Sequence, residues 1–384
     1  MRVRGERSET VNPLLARLSA YLQEKANAQR EAAMRSGRPV YDFGIGDPRE
    51  PTPAFIREAL RAAVPEVSQY PSIAGRPALR QAVAAYLSRR FGLSVDPECE
   101  ILPCAGAKEA LFHLPLCAAD PARPFCWYPD PGYPVYERAI LFAGATPRAV
   151  PLLAERGFLP DLVAISAADW KRTSLFFDCY PHNPTGAGAP REHHQRLAAL
   201  AREHGFLVVC DEPYVDLYVG DPPHSALQVS RENLIAIHSL SKRSGMTGYR
   251  SGFIAGDARV VLALREARAN FGVASQDFVQ AAAIAAWSDD AHVEERRRVF
   301  AAKRALLLAH LRKLGLHAAG EGAFYLWVRV PQGHSSESYA TMLAERGILV
   351  VPGNSFGQHG EGFIRLAMVP TLRDCEAAVQ AWPS

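Results

Sequence analysis

The sequence predicts an α/β protein in which a large domain with a mostly parallel central sheet is joined to a smaller α+β domain. Three short apolar runs, "LFF" from residue 175, "LVVC" from 207 and "LIAI" from 234, are typical of strands buried on both faces. Helix-length amphipathic stretches alternate with such runs between about residues 78 and 255, and this alternation favours a parallel sheet. Beyond about residue 283 the pattern changes to a long helix followed by two strands.

Local patterns justify the helices of the large domain. "ALRQAVAAYL" places Leu79, Val83, Tyr86 and Leu87 on one helical face. "PREHHQRLAALAREHG" has a proline near its start and Gly205 near its end, as helices commonly do.

The C-terminal part is predicted to begin with one long helix, "SDDAHVEERRRVFAAKRALLLAHLRKLG". Its acidic residues come early and its basic residues late, which complements the helix dipole, and Gly315 is the expected stop. We interpret its "EERRR" run as a solvated face. "GAFYLWVRV" and "GFIRLAM" are predicted strands. The predicted domains are 1–45 (an N-terminal arm and small-domain segment), 46–282 (large domain) and 283–384 (small domain).

Composition narrows the class of partner. The chain has 384 residues, 48% of them hydrophobic, and a net charge of only +3, so neither nucleic acid nor an anionic membrane is expected. No apolar run approaches the length of a membrane span, and the N-terminus lacks the apolar core of a signal peptide. The seven cysteines form no CxxC pair, so we expect a reduced cytoplasmic protein without a metal site that acts on small molecules.

"HSLSKRSGMTGYR", from residue 238, is the first candidate site. It leaves a predicted buried strand and presents Lys242 at the sheet's carboxyl edge, where α/β proteins bind ligands. A carbonyl cofactor needs an amine that can bond to it covalently, and Ser239, Ser241 and Arg250 can donate to a phosphate. These groups together predict pyridoxal 5′-phosphate. A lone loop lysine is more often a surface charge, so other segments must supply the remainder of such a site.

A pyridine ring needs a carboxylate beside its nitrogen, and Asp211 in "LVVCDEPY" directly follows a predicted buried strand. An opposite charge about 4 Å away, at an effective dielectric near 20, is worth roughly 4 kcal/mol, or about three pKa units. That interaction keeps the ring protonated at neutral pH, where it withdraws electrons from a carbanion. Without Lys242, a structural cap or turn would be the preferred interpretation of Asp211.

The phosphate, the phenolic oxygen and the ring face each have a candidate partner. "ILPCAGAKEALFHL" predicts a strand, a turn and a helix whose N-terminal N–H groups bind an anion; the turn residues are Gly106, Ala107 and Lys108. Asn183 in "HNPTG" and Tyr214 can donate to the phenolic oxygen. Tyr133 in "PDPGYP" can stack on the ring.

A substrate carboxylate also needs an anchor, and Arg365 is a basic residue inside the otherwise apolar strand "GFIRLAM". Arginine binds carboxylates through two parallel hydrogen bonds, each worth about 1.5–3 kcal/mol. A buried structural ion pair is the alternative interpretation of this residue.

With these parts in place, the chain resembles the fold-type I, class I/II pyridoxal-phosphate-dependent aminotransferases over nearly its whole length. The matching segments, in order, are "GIGDPREPTP", "YPSIAGRPALRQAV", "CAGAKEALF", "DPGYPVY", "HNPTG", "DEPY", "SLSKRSGMTGYR", "GAFYLWV", "VPGNSFG" and "GEGFIRLA". The resemblance implies that Lys242 bonds the cofactor, that Asp211 pairs with the ring nitrogen, that Asn183 and Tyr214 donate to the phenolic oxygen, and that Tyr133 stacks on the ring.

The same resemblance assigns the two anion sites. The phosphate site is matched by Gly106, Ala107, Lys108, Ser239, Ser241 and Arg250. Tyr70 in "QYPSIAG" reaches that phosphate from a second subunit, which implies a homodimer with shared active sites. Arg365, Asn183 and the backbone at Gly46 match the site of the substrate α-carboxylate.

Within the family, "VNPLLARL", "TPAFIREAL", "HSLSKRSG", "YRSGFIAGD" and "AAIAAWSDDAHV" resemble the N-succinyldiaminopimelate aminotransferases of lysine biosynthesis, with 2-oxoglutarate as amino acceptor. Asp47 departs from that subgroup, which has glutamate before the proline, and "GMTGYR" follows the generic aminotransferase pattern. A distal succinyl carboxylate requires a second cation besides Arg365. Arg243 and Arg49 are the candidates by position.

Other activities remain open at this stage. Aminotransferases for aspartate, alanine, aromatic amino acids or acetylornithine share these cofactor residues, and so do pyridoxal-phosphate-dependent C–S β-lyases. A transcription regulator that senses the cofactor would need a fused DNA-binding domain, and the roughly 45 residues before "GIGDP" show no helix-turn-helix pattern.

Overall fold

Thirteen strands occur in the described part of the chain, which in this computed structural model is residues 39–320 and 322–383 with single residues at 12, 14, 30, 31, 35 and 37. Most of the predicted arm, 1–45, lies outside the described residues. The strands are β1 Tyr41–Asp42, β2 Ile101–Cys104, β3 Phe125–Asp130, β4 Thr146–Pro151, β5 Thr173–Asp178, β6 Leu207–Asp211, β7 Leu234–Ser239, β8 Gly252–Gly256, β9 Ala318–Ala319, β10 Tyr325–Arg329, β11 Ile348–Leu349, β12 Val351–Pro352 and β13 Phe363–Ala367.

Helices cover both faces of the large sheet and one side of the small one. Those described are α1 Ala54–Ala62, α2 Pro77–Phe91, α3 Ala107–Ala118, α4 Val135–Phe142, α5 Ala167–Lys171, α6 Arg191–His204, α7 Leu240–Arg243, α8 Ala258–Phe271, α9 Asp277–Trp287, α10 Ala291–Lys313, α11 Ser336–Ala344 and α12 Leu372–Ala381. None of the described helices is both long enough and apolar enough to cross a membrane.

The central sheet has seven strands in the order β2-β8-β7-β6-β5-β3-β4. Strand β8 is antiparallel to both of its neighbours, and the remaining pairs are parallel. The three apolar runs of the sequence are β5, β6 and β7, each buried along its whole length. Because these strands are parallel, their carboxyl ends meet at one edge, where β6 ends at Asp211 and β7 at Ser239. The predicted mostly parallel α/β fold is confirmed.

Two apolar cores enclose this sheet, one on each face, and a third lies in the C-terminal part. Leu79, Val83, Tyr86 and Leu87 of α2 are all buried, as their helical spacing predicts. Gly205 caps the C-terminus of helix α6, and its φ of +68° suits a residue without a side chain.

The C-terminal part has its own sheet, in the order β12-β13-β10-β9, with every neighbouring pair antiparallel. A separate parallel pair, β1 with β11, joins the segment before residue 45 to this part of the chain. The predicted boundary at 282 falls inside α9, which packs against α1 and α2 of the large domain. We therefore propose that the small domain consists of the residues around β1 together with the chain from α10 onward.

The long helix α10 is present, but its "EERRR" run is only partly solvated. Glu294, Glu295 and Arg298 are exposed, whereas Arg296 is buried, and two of its guanidinium nitrogens have no hydrogen-bond acceptor in the described part of the chain. The interpretation of this run as a solvated face was therefore wrong for Arg296, because the helical period turns that residue inward.

A buried carboxylate at the end of β5 is neutralised by two neighbouring histidines of α6. Asp178 lies 3.1 Å from Nε2 of His193 and 3.1 Å from Nε2 of His194. Burial raises the pKa of Asp178, but these imidazoles outweigh it and hold that pKa well below the ordinary value. Cys210 lies close enough that Asp178, His194 and Cys210 have the spacing of metal ligands. We interpret the group as a structural contact that attaches α6 to the sheet, since both imidazoles of α6 already lie against Asp178.

Arg243 directly follows Lys242, and all three nitrogens of its guanidinium donate hydrogen bonds within the protein. Its Nε donates to Asp216 at 2.8 Å, its Nη1 to the carbonyl of Ala286 at 2.7 Å, and its Nη2 to Asp290 at 2.6 Å. Burial raises the pKa of Asp216, but Arg243 and Arg90 together hold that pKa below its ordinary value. Arg243 thus fixes α7 to α9 and is not available to bind a substrate carboxylate.

Replacement of Arg243 by methionine should lower the free energy of unfolding by about 3–5 kcal/mol, because it leaves Asp216 buried with an incomplete set of partners. Chemical denaturation of the purified protein measures this. The matched control is Arg298→Met, an exposed arginine in α10, which should change stability by no more than about 0.5 kcal/mol. Equal stability of the two variants would refute a structural role for Arg243.

Candidate active site

The described part of the chain contains a cavity of about 440 Å³ at the carboxyl edge of the central sheet, where the small domain closes over it. Its volume is in the range of small-molecule sites. All the residues predicted to bind the cofactor or the α-carboxylate line it, except Gly106 and Tyr70. The lining residues are Gly44, Ile45, Gly46, Asp47, Ala107, Lys108, Leu111, Tyr133, Asn183, Asp211, Pro213, Tyr214, Ser239, Ser241, Lys242, Thr247, Arg250, Tyr325, Val351, Phe356 and Arg365.

Lys242 lies in the short helix α7 that follows β7, and its Nζ donates a hydrogen bond to the carbonyl of Gly46. Shielding from water, together with the charges of Arg365 and Arg250, lowers the pKa of this amine to about 8. The carboxylate of Asp47 acts in the opposite direction. A substantial fraction of Lys242 is therefore neutral near physiological pH, as a nucleophile or a proton acceptor requires.

Asp211 ends β6 and is buried. Its Oδ2 accepts a 2.6 Å hydrogen bond from the hydroxyl of Tyr136, while its Oδ1 has no partner among the described residues. Burial raises the pKa of this carboxyl to about 7; the hydrogen bond from Tyr136 opposes that rise, and the charge of Glu212 adds to it. A buried acid with one unsatisfied oxygen is the complement of a cationic nitrogen in the cavity.

Asn183 connects two other polar groups of the site. Its Oδ1 accepts from Nη1 of Arg365 at 3.0 Å, and its Nδ2 donates to the hydroxyl of Tyr214 at 3.4 Å. Nη2 of Arg365 donates to the carbonyl of Gly44 at 2.6 Å, and its Nε has no acceptor among the described residues. The guanidinium is buried, which lowers its pKa. No described carboxylate pairs with it, so an anion in the cavity would meet an unneutralised cation.

Hydroxyl and guanidinium groups gather at the opposite end of the cavity. Arg250 has a left-handed backbone, with φ +54°, a strain of about 1–3 kcal/mol that persists where the surrounding structure requires it. Its Nη1 donates to the carbonyl of Thr247 at 3.0 Å and makes a long contact of 3.5 Å with Ser241 Oγ. Ser239 caps α7 by accepting from the backbone N–H of Ser241 at 3.1 Å.

The helix N-terminus that the sequence predicts lies beside Arg250. Helix α3 begins at Ala107, and both Ala107 and Lys108 line the cavity. A β-carbon on Gly106, whose φ is +83°, would lie 2.6 Å from Nη2 of Arg250. Glycine at this position therefore lets the guanidinium approach the N–H groups of the helix, and the two together form an anion site.

Tyr133 lines the cavity, and its ring lies edge-on to that of Tyr136, 5.9 Å away. Tyr70 does not line the cavity of its own chain. It is fully exposed in the single chain, so the predicted contact across a subunit interface stays a prediction.

Comparison with known proteins agrees with this geometry. Residues 38–381 match the family model described as "Aminotransferase class I and II". The chain belongs to the class I and II aminotransferases.

Three proteins that are similar to this aminotransferase in sequence or structure illustrate its place in the family. An LL-diaminopimelate aminotransferase of Desulforudis audaxviator is 42% identical over 350 residues, which cover 89% of each chain. Substrate-bound BacF of Bacillus subtilis is 30% identical, covers 97% of both chains and superimposes with a TM-score of 0.93. A probable N-succinyldiaminopimelate aminotransferase of Thermus thermophilus is 27% identical, covers 94% of this chain and 99% of its own, and has a TM-score of 0.87.

Enzymes of this family use pyridoxal 5′-phosphate, and the described residues fit it. Asp211 Oδ1 is a buried acceptor without a partner, as the ring nitrogen requires. Hydroxyls, a guanidinium and a helix N-terminus meet at one end of the cavity, as a phosphate requires. Lys242 lies between these two ends with a depressed pKa, as an amine that bonds a carbonyl requires.

The structure adds site residues that sequence reasoning missed. Tyr136 hydrogen-bonds Asp211, and Tyr325 and Phe356 flank Arg365, with its guanidinium carbon 4.6 and 4.7 Å from their ring centres. The segments "DPGYPVY", "GAFYLWV" and "VPGNSFG" contain these residues. Each residue therefore belongs to a motif that the sequence analysis had already identified, although it was not assigned to the site. Arg49 is exposed and does not line the cavity, so neither arginine proposed for a distal carboxylate does so.

In the cofactor-free protein, acylation of Lys242 should follow a pH profile with a midpoint near 8. An ordinary lysine titrates near about 10.4. Mass spectrometry of peptides after brief acetic anhydride treatment measures this, with exposed Lys171 as internal reference. Asp47→Asn should move the Lys242 midpoint lower, because it removes a charge that raises this pKa. A Lys242 midpoint near 10 would contradict the electrostatic account.

Proposed function

We propose that this enzyme is an LL-diaminopimelate aminotransferase. It would exchange the amino group of LL-2,6-diaminopimelate with 2-oxoglutarate to give 2-amino-6-oxopimelate and glutamate. The observation that carries this proposal is the 42% identity, over 89% of both chains, to a relative of that name. It replaces the N-succinyl substrate that the sequence motifs favour, since the structural relative named for that substrate is less similar, at 27% identity.

The charges of the cavity support the free diamine. The cations that line it are Lys108, Lys242, Arg250 and Arg365, and each already has a place in the cofactor or α-carboxylate site. Asp47, by contrast, is an exposed carboxylate in the cavity lining. The distal end of LL-diaminopimelate carries an ammonium and a carboxylate, whereas its N-succinyl derivative replaces that ammonium with an amide and adds a second carboxylate. Asp47 attracts the ammonium and repels the added carboxylate.

We assign the residues of the chain to the steps of transamination as follows. Arg365 and Asn183 hold the α-carboxylate, and the carbonyl of Gly46 holds the amine of Lys242 in place. Bound pyridoxal phosphate supplies the carbonyl that takes up the amino group and the ring that stabilises the carbanion. Lys242 Nζ accepts the proton from the substrate Cα and later returns a proton to complete the exchange.

The remaining contacts hold and tune the cofactor. Asp211 would pair with the ring nitrogen, Tyr214 and Asn183 would donate to the phenolic oxygen, and Tyr133 would stack on the ring. The phosphate is held by Gly106, Ala107, Lys108, Ser239, Ser241 and Arg250. Sodium borohydride should fix the cofactor mass on the peptide that contains Lys242, and label on any other lysine would refute its assignment.

Asp211→Asn should bind pyridoxal phosphate through the unchanged phosphate site but lose most of its turnover. The amide cannot stabilise a protonated ring nitrogen, so the ring would withdraw electrons less effectively. We expect kcat to fall by at least about 100-fold, which corresponds to roughly 2.7 kcal/mol. Single-turnover kinetics and the equilibrium constant for the cofactor measure the two effects separately. Unchanged turnover in a fully loaded variant would remove Asp211 from this role.

A panel of amino donors with 2-oxoglutarate tests the substrate. LL-diaminopimelate should give a higher kcat/KM than N-succinyl-diaminopimelate, aspartate, alanine, tyrosine and acetylornithine. Asp47→Asn should lower the preference for LL-diaminopimelate over alanine by about tenfold, the worth of one charged hydrogen bond. Asp47→Glu, which retains the charge, should keep much of the preference for LL-diaminopimelate over alanine.

The ratio of the two donors is the informative quantity, because Asp47 also influences Lys242 and a change there affects every substrate equally. A wild-type preference for the N-succinyl derivative would overturn the proposed substrate. Cystathionine belongs in the same panel: pyruvate release faster than amino transfer would indicate a β-lyase.

We also propose that the enzyme is a homodimer in which Tyr70 reaches the phosphate of the partner subunit. The segment around Tyr70 is exposed and partly apolar, with Val64 at 56%, Val67 at 75% and Tyr70 at 102% exposure. Light scattering of the loaded enzyme should give twice the 42.0 kDa chain mass. Tyr70→Phe should keep this mass and weaken cofactor binding. A fully active monomer would contradict the proposal.

A further inference from the structure

A contact between the two domains lies beside the cavity, at the end of strand β3. Asp130 is the last residue of β3 and is 5% exposed. Its Oδ2 lies 2.9 Å from Nδ1 of His359, and its Oδ1 accepts from the backbone N–H of His359 at 3.2 Å. His359 belongs to the small-domain loop of residues 353–360, between β12 and β13. A carboxylate of the large domain thus contacts both the backbone and the side chain of one small-domain residue.

Two further observations show that the 353–360 loop is fitted to this carboxylate. The backbone N–H of Gly132, two residues after Asp130, donates to the carbonyl of Phe356 at 2.8 Å. A β-carbon on Gly357, whose φ is +136°, would overlap Oδ1 of Asp130. The loop therefore lies against the end of β3 at Phe356, at Gly357 and at His359.

The same two segments supply parts of the cavity wall. Phe356 of the loop and Tyr133, which directly follows Gly132, both line the cavity. Phe356 is 5% exposed, and the centre of its ring lies 4.7 Å from the guanidinium carbon of Arg365. Movement of the loop away from Asp130 would therefore carry Phe356 away from the proposed anchor of the substrate α-carboxylate.

We propose that His359 is a positioning residue for substrate binding. By holding the 353–360 loop on Asp130, it keeps Phe356 packed against Arg365, and this packing keeps the guanidinium in the orientation that binds a carboxylate. His359 does not line the cavity, so it acts through Phe356. The inference rests on the role proposed for Arg365 and not on the identity of the amino donor.

Steady-state kinetics of the loaded enzyme, with its best amino donor and 2-oxoglutarate, test this role. His359→Ala removes the side-chain contact with Asp130 and should raise KM for both substrates by about tenfold, the worth of one charged hydrogen bond. Because the α-carboxylate is held equally in the ground and transition states, kcat should change by less than about twofold. His359→Asn keeps a donor near the position of Nδ1 and should return both KM values to within about threefold of the wild type. The matched control is His317→Ala, an exposed histidine of the small domain, which should change neither constant.

Hydrogen exchange measured by mass spectrometry follows the loop without reference to activity. Peptides that cover residues 353–360 should exchange faster in His359→Ala than in the wild type, and at the wild-type rate in His359→Asn. Strand β13 should exchange at the same rate in all three proteins, since the rest of the small domain keeps its contacts. Wild-type exchange of the loop in His359→Ala would overturn the proposal.

A double-mutant cycle tests the route through Phe356. Once Phe356 is replaced by leucine, His359→Ala should cause no further rise in KM. Independent, additive increases would overturn the proposal, as would an unchanged KM in His359→Ala or an equal rise in the alanine and asparagine variants. Each comparison is a ratio of a variant to the wild type on the same substrates, so a panel that favours another amino donor would leave these results intact.

Discussion

Two buried groups of opposite charge, each lacking part of its hydrogen bonding, dominate this active site. Arg365 is a buried guanidinium whose acceptors are a carbonyl and an amide, not a carboxylate, and Asp211 is a buried carboxyl with one unsatisfied oxygen. Desolvating such groups costs free energy unless a partner compensates for it. The fold keeps both of these groups buried at the same cavity. The site is therefore complementary to a ligand that presents an anion to Arg365 and a cationic nitrogen to Asp211.

The mostly parallel sheet explains how these groups come together. Parallel strands bring residues distant in sequence to one edge: Asp211 ends β6 and Ser239 ends β7, next to Lys242 in α7. Arg365 comes from the small domain, and its hydrogen bond to Oδ1 of Asn183 joins that domain to the large one. The charge on the substrate and the packing between domains are therefore linked through one side chain.

Much of this could be predicted from sequence because the chemistry of the site uses local signals. The strand-end positions of Lys242 and Asp211, and the turn before α3, are patterns within a few residues of chain. The contacts of the Arg243 side chain could not be predicted from such local patterns. Its neighbour Lys242 points into the cavity, but Arg243 lies on the other side of a short helix and pairs with Asp216 and Asp290, which are remote in sequence. Only tertiary structure determines which of two adjacent cations is free.

Arg296 is a second cation whose environment could not be predicted from the local sequence. A run of five charges suggests solvent, yet one turn of α10 directs Arg296 inward, where it is buried close enough to Lys242 for its charge to lower that pKa. Asp47 counteracts it at the mouth of the cavity. The protonation of Lys242 thus reflects a balance among charges contributed by four separate parts of the chain, at Asp47, Arg250, Arg296 and Arg365. The carboxylate that raises the pKa of Lys242 also lines the cavity, so a change at Asp47 alters the protonation of the lysine whichever substrate is bound.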